Sequence, residues 1–143
     1  MSRPRREPFA KPIIFVESAD DKEAGYAFGS NPPYELMGQN RIGAVSVPAL
    51  KAALPRSADF TFIDNGPDKW GLGFLITTDQ VPGKRSPGSL SWGGINNTFF
   101  WIDPIRGIGG VIMMQYLPFA DAKALAVYDT FERGAYQLVN AER

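Results

Sequence analysis

Nucleophilic hydrolysis needs an attacking group and a base to take its proton, and this sequence has no histidine and no cysteine to supply either. Ser-His-Asp and Cys-His arrangements are therefore excluded. No serine stands in a Ser-x-x-Lys string. Ser89 and Ser91 lie in Ser89-Leu90-Ser91-Trp92-Gly93, which lacks the first glycine of Gly-x-Ser-x-Gly and has no imidazole partner, so neither reads as a nucleophile. Zinc and most transition metals call for His or Cys ligands. The acidic residues Asp20, Asp21 and Glu23 could hold a hard cation only weakly, and a solvated loop is the better reading. Neither a metal nor a cofactor is expected. Gly107, Gly109 and Gly110 lead into an apolar strand rather than a helix N-terminus, so they read as a turn and a packing allowance for a C-terminal helix, not as a phosphate loop.

What remains could bind rather than react. Trp70, Trp92, Phe99, Phe100 and Trp101 could line a pocket, although aromatic residues at strand spacing usually belong to a core. Trp92 is the exception, because Gly93 and Gly94 follow it and leave backbone N–H and C=O groups open to whatever lies alongside. A valine at Gly94 is expected to obstruct that groove and displace the backbone.

Positioning such a strand requires a sheet and a cover. Three apolar segments, Ser89 to Ile95, Thr98 to Asp103 and Ile108 to Gln115, are joined by tight links and predict an antiparallel β-meander. In the second link, Asp103-Pro104-Ile105-Arg106-Gly107, proline sets φ and glycine accepts positive φ. Trp70 to Thr77 reads as a further strand in which Gly71 and Gly73 signal close backbone approach, and Val81 to Gly88 as a surface loop. Phe60 and Phe62 alternate ahead of the Asn65-Gly66-Pro67-Asp68 turn. Ser46 to Leu54, with Ala49, Leu50, Ala53 and Leu54 on one side, predicts a helix stopped by Pro55, and another helix end is expected at Tyr34 to Met37. After Pro118, Asp121 can cap a helix whose Leu125, Tyr128, Phe131, Ala135 and Leu138 form a stripe, which must dock on the sheet. The expected class is α+β, a meander of about three to five strands with a C-terminal helix across one face.

A chain of 143 residues suits one domain and can bury roughly 70% of its unfolded surface. Fifteen basic residues balance fifteen acidic ones, which removes the field that would attract nucleic acid or an anionic membrane. Arg3, Arg5 and Arg6 read as a solvated tail. Absent cysteines and a start without an apolar signal core favour the cytoplasm, and no apolar run reaches membrane-spanning length. Residues 1 to 33, broken by Pro4, Pro8, Pro12, Pro32 and Pro33, are expected to be poorly ordered apart from a short strand over Ile13 to Val16.

Trp92-Gly93-Gly94, Asn97-Thr98-Phe99-Phe100-Trp101-Ile102-Asp103-Pro104 and Gly110-Val111-Ile112-Met113-Met114-Gln115 resemble the C-terminal part of serine β-lactamase-like hydrolases, the class C β-lactamase-related and family VIII-type esterases that share a fold with penicillin-binding proteins. Leu36-Met37-Gly38-Gln39-Asn40, Trp70-Gly71-Leu72-Gly73-Phe74 and Pro118-Phe119-Ala120-Asp121 extend the resemblance over residues 34 to 143, leaving 1 to 33 unmatched. It implies a partial fold that lacks the family's Ser-x-x-Lys and Tyr motifs. It also implies that Trp92, Gly93, Gly94 and Ile95 form the substrate-binding strand, with the Ile95 N–H in the oxyanion hole. Ester or amide hydrolysis would then belong to the complete enzyme, without independent catalysis by this chain. In the family the strand matching Ile108 to Gln115 pairs with an N-terminal strand. Its absence implies an open apolar edge, a template for a homodimer, for a complementary N-terminal fragment or for another partner, unless Ile13 to Val16 fills it. The alternative reading is a non-enzymatic interaction module that binds through that edge.

Overall fold

Alternation along Thr98–Asp103 decides which face of the sheet becomes the core. Phe99, Trp101 and Asp103 are buried while Thr98, Phe100 and Ile102 are half-buried, the period of two that a strand imposes. The next strand repeats the pattern: Phe99 lies opposite Ile112, Trp101 opposite Gly110, and Asp103 opposite Ile108, all of them buried. A computed structural model describes residues 11–16, 36–61 and 67–141. Its strands are β1 (Lys11–Val16), β2 (Lys69–Trp70), β3 (Leu75–Ile76), β4 (Leu90–Gly94), β5 (Thr98–Asp103) and β6 (Ile108–Met113), followed by one long helix, α1 (Ala122–Ala141). The sheet runs β1-β6-β5-β4-β3-β2, and every neighbouring pair is antiparallel. The expected α+β class, with its β4-β5-β6 meander and C-terminal helix, is what the chain adopts.

Local chemistry explains both hairpins of the β4-β5-β6 meander. Between β5 and β6, Asp103 Oδ1 accepts the N–H groups of Ile105 and Arg106 at 3.0 Å each, and Gly107 takes φ 64°. Between β4 and β5, Asn97 N–H bonds Gly94 O at 2.9 Å and Asn97 itself sits at φ 61°, the three-residue loop in which a left-handed residue closes a type I turn. Asp121 caps α1 by accepting Lys123 N–H at 2.8 Å, as expected. Trp101 carries the contact between layers. Its ring meets Phe131 edge-on at 5.3 Å and lies 6.4 Å from Tyr136, and Phe99 stacks on Tyr128 at 4.7 Å.

The edge of β6 is closed. Lys11 to Val16 pair in register with Met113 to Ile108, so the N-terminal strand fills the place that would otherwise template another chain. Apart from that strand, the expectation of poor order over residues 1–33 falls outside the described residues. So do Phe62 and the start of the Asn65–Asp68 turn.

Four expectations are corrected. Residues 46 to 54 form no helix: Leu50 and Phe60 exchange backbone hydrogen bonds at 2.7 and 2.9 Å, and Ala49, Leu50, Ala53 and Leu54 are all exposed. An apolar stripe without a surface to cover gives a helix too little packing to outlast that pairing. Trp70 to Thr77 is not one strand but the hairpin β2–β3, turned at Gly73 with φ 93°. Gly71 does mark a close approach, since a Cβ there would stand 1.9 Å from Met37 O. The segment from Val81 to Gly88 is not a surface loop throughout, because Val81, Arg85 and Ser86 are buried. The helix stripe is rotated as well: Leu138 is 60% exposed, while Glu132, Tyr136 and Val139 turn inward with Ala124 and Ala135. Of the helix end expected at Tyr34 to Met37, Leu36 and Met37 are helical and Tyr34 lies outside the described residues.

Candidate functional site

β4 is paired unequally on its two sides. Toward β5 all five residues are matched, Leu90 to Ile102 through Gly94 to Thr98, but toward β3 only Leu90 and Ser91 have partners. β3 stops there because Phe74 O turns to accept Gly71 N–H at 2.9 Å, which closes the β2–β3 hairpin. Among the described residues, Gly93 and Gly94 therefore have no strand beside them on the β3 side, which leaves an open lane there. The two glycines differ. A Cβ on Gly93 would stand 2.8 Å from the Phe99 ring, whereas one on Gly94 would meet nothing nearer than Thr98 O at 3.8 Å. The close packing thus belongs to Gly93, and the expected backbone displacement by a side chain at Gly94 is corrected accordingly.

Ile95 follows at the start of the hairpin loop, 53% exposed. Its position is fixed by Asn97, whose fully buried side chain donates from Nδ2 to Tyr116 O at 2.9 Å and to Pro118 O at 2.8 Å and accepts Ala120 N–H on Oδ1 at 2.8 Å. Asparagine is the residue that tolerates a left-handed backbone and still offers both donors and an acceptor. The sequence did not single out this anchor. Trp92, Gly93, Gly94 and Ile95 come together simply as the end of β4, and the Trp92 ring packs edge-on against Trp70 at 4.6 Å.

Among the described residues no serine is set up for attack. Ser89 and Ser91 are buried, and Ser89 Oγ has no hydrogen-bond partner. The structure brings one other serine to a lysine: Lys69 Nζ lies 3.3 Å from Ser46 Oγ. The same ammonium donates to Val45 O at 2.8 Å, Gly43 O at 3.2 Å and Ala44 O at 3.3 Å. Its donors go to three consecutive carbonyls as well as to the serine, which ties residues 43–46 to β2.

Beneath the sheet, two charge clusters pin the 81–88 segment that leads into β4. Arg85 Nε and Nη2 donate to Glu132 Oε1 and Oε2 at 2.7 and 2.8 Å, and Nη2 also meets Tyr128 Oη. Burial works against the Arg85 cation, but the Tyr128 hydroxyl and the Glu132 carboxylate outweigh it and raise its pKa. The Tyr128 hydroxyl is pushed up to about 12, mainly by burial. Asp103 Oδ2 accepts Ser86 N–H and Ser86 Oγ at 2.9 Å and Tyr136 Oη at 2.8 Å; burial first, then the Asp103 charge, raises the Tyr136 pKa. The glycine reading at Gly110 also changes. The space it leaves is filled by Trp101, whose Cη2 stands 2.1 Å from the position of a Cβ, not by the helix directly.

Among the described residues there is no group of three or more His, Cys, Asp or Glu that could hold a metal ion, and no helix is long and apolar enough to cross a membrane. Asp20, Asp21 and Glu23, as well as Arg3, Arg5 and Arg6, lie outside the described residues.

No family model and no curated protein matches the sequence. Among solved structures, simvastatin synthase from Aspergillus terreus in its LovD9 mutant form aligns at 27% identity with a TM-score of 0.51, over 52% of this chain and 20% of that one. The LovD6 mutant aligns at 28% identity and 0.50, over 52% and 19%. A β-lactamase from Mycobacterium bovis aligns at 21% identity and 0.46, over 76% and 36%. The chain thus spans about a fifth of the length of the synthase it is similar to. In sheet order, in the helix laid across one face and in its similarity to a protein of the β-lactamase fold, the described chain has the C-terminal part of the serine β-lactamase-like fold.

Proposed function

We propose that this chain supplies the substrate-binding strand of a β-lactamase-related serine hydrolase acting on esters or amides, and that it is not catalytic alone. The observation that carries the reading is the lane beside Gly93 and Gly94, where β4 continues past the end of β3 and no strand among the described residues lies alongside. An acyl group lying along that lane would meet backbone donors and acceptors, and the N–H of Ile95 at the lane's end would provide one donor to a tetrahedral oxyanion. The second donor and the attacking hydroxyl would come from a Ser-x-x-Lys segment on polypeptide outside this sequence. An oxyanion donor lowers a barrier only after attack begins, so the strand by itself binds without turning over. Trp92 would form an apolar wall beside the scissile bond. A cytoplasmic setting fits a chain without cysteine.

A second reading is supported by the same lane and by the outer side of β1: a non-enzymatic module that pairs with a partner strand, whether a complementary N-terminal fragment or a second copy. The two readings separate on one experiment. Mixing the purified chain with a separately expressed N-terminal half carrying Ser-x-x-Lys should yield hydrolysis of a short p-nitrophenyl ester if the first holds. Binding of that half without hydrolysis, with the Ser-x-x-Lys serine intact, supports the second.

A further inference from the structure

A cleft of about 470 Å³ lies between the first three turns of α1 and the sheet at β3 and β4, within the size range of small-molecule sites. Phe60, Val81, Phe99 and Leu125 give it apolar walls. The charged residues on its lining are already matched, Arg85 to Glu132 and Lys84 to Asp129. Thr77 is different. It lines the cleft, is 1% exposed, and its Oγ1 has no hydrogen-bond partner. A buried hydroxyl without a partner is disfavoured, and a ligand hydroxyl that can donate and accept would satisfy it.

We propose that this cleft binds a neutral, mainly apolar molecule carrying one hydroxyl, its apolar body against Phe60, Phe99 and Leu125 and its hydroxyl on Thr77 Oγ1. A charged ligand would lose hydration against these apolar walls, where the charged side chains are already engaged, Arg85 with Glu132 and Lys84 with Asp129, which also binds Arg133. The site adjoins the proposed substrate strand, since Trp92 is on its lining, but Gly93, Gly94 and Ile95 are not, and the inference stands whether or not the chain takes part in hydrolysis.

The test is a titration of the full chain with 1-octanol, followed by amide NMR shifts of Leu125 and Ala126. Saturable binding is expected, with octanoate at neutral pH binding at least about tenfold more weakly. Thr77→Val should weaken octanol by about tenfold while leaving n-octane binding unchanged, and its melting temperature should not fall, because it removes an unsatisfied hydroxyl. Ala126 is exposed on the rim, so Ala126→Trp should block the cleft with the helix content unaltered. Non-saturable octanol shifts, octanoate binding as tight as octanol, or equal octanol affinity in Thr77→Val would each overturn the proposal. So would a cleft closed to octanol because another polypeptide segment occupies it.

Discussion

Asn97 Oδ1 accepts the backbone N–H of Ala120 at 2.8 Å, so the loop that ends the candidate substrate strand is fastened to the chain entering α1. The same side chain donates to Tyr116 O and Pro118 O. One buried amide therefore holds both the turn that places Ile95 and the segment that starts the helix.

Asn97→Ala leaves the Ala120 N–H and two carbonyls without their partner and puts a less tolerant residue at positive φ. The expected loss is about 2–4 kcal/mol, read as a lower urea midpoint with an unchanged m-value. Asn97→Gly keeps the backbone freedom and loses the same bonds, so it should be only slightly less damaging than alanine. A glycine variant as stable as the native chain would mean that φ, not the amide, is what the position requires.

The glycines rank themselves by what surrounds them. Gly110→Ala forces the Trp101 ring off its seat, 2.1 Å from the new Cβ, and should cost about 3 kcal/mol or more. Gly94→Ala meets only ordinary contacts and should be neutral or stabilise by up to about 1 kcal/mol through the unfolded chain. Thermal melts of both variants give the comparison, and a Gly94→Ala penalty as large as that of Gly110→Ala would contradict the assignment of an open lane beside Gly94.

Glu132 sits on the buried side of α1 with both oxygens on Arg85. Glu132→Ala strands a buried guanidinium and should destabilise by about 3–5 kcal/mol, whereas the double change Arg85→Met with Glu132→Leu should recover most of that loss. Chemical denaturation of the single and double variants measures the coupling. A single variant that loses less than about 1 kcal/mol would show that the guanidinium finds water instead.

Asp68 gives stability a pH dependence. Its side chain is buried with Oδ1 unpartnered, and its pKa is raised to about 7, chiefly by burial, with Arg85 opposing and Asp79 assisting. An acid whose folded pKa lies above its unfolded value binds the proton more tightly when folded, so its contribution is full below about pH 4 and is lost as pH rises through 7. Asp68→Asn should remove that slope and raise stability at pH 8 by roughly 1–3 kcal/mol, with little change at pH 4. Melting curves at the two pH values decide it; equal effects at both would remove Asp68 as the titrating group.

How much of this was legible depended on how local its cause is. The β5–β6 hairpin could be read directly, because the alternation in Thr98–Asp103 and the aspartate, proline and glycine of its turn lie within a dozen residues. The Ser46 to Leu54 stripe misled because helix formation there depends on a docking surface that the folded chain does not provide, and the competing partner, Phe60, lies beyond the proline. Arg85 and Glu132 are 47 positions apart, and nothing in either neighbourhood announces the pair; the one signal was a glutamate between inward-facing Phe131 and Ala135. At the candidate site, Gly93 and Gly94 marked the strand, but only tertiary packing shows that Gly93 is the crowded one and that Asn97 anchors the loop.

The proposed function gives this chain a substrate-binding strand and takes the attacking group from another polypeptide. The most direct test is incubation of the homogeneous chain with a fluorophosphonate probe and a short p-nitrophenyl ester, alone and with an added N-terminal half bearing Ser-x-x-Lys. No labelling and no release of p-nitrophenol above buffer are expected for the chain alone, and both are expected on adding that half, with the label on its serine. Sustained hydrolysis by the chain alone, with stoichiometric label on Ser46, Ser89 or Ser91, would contradict it.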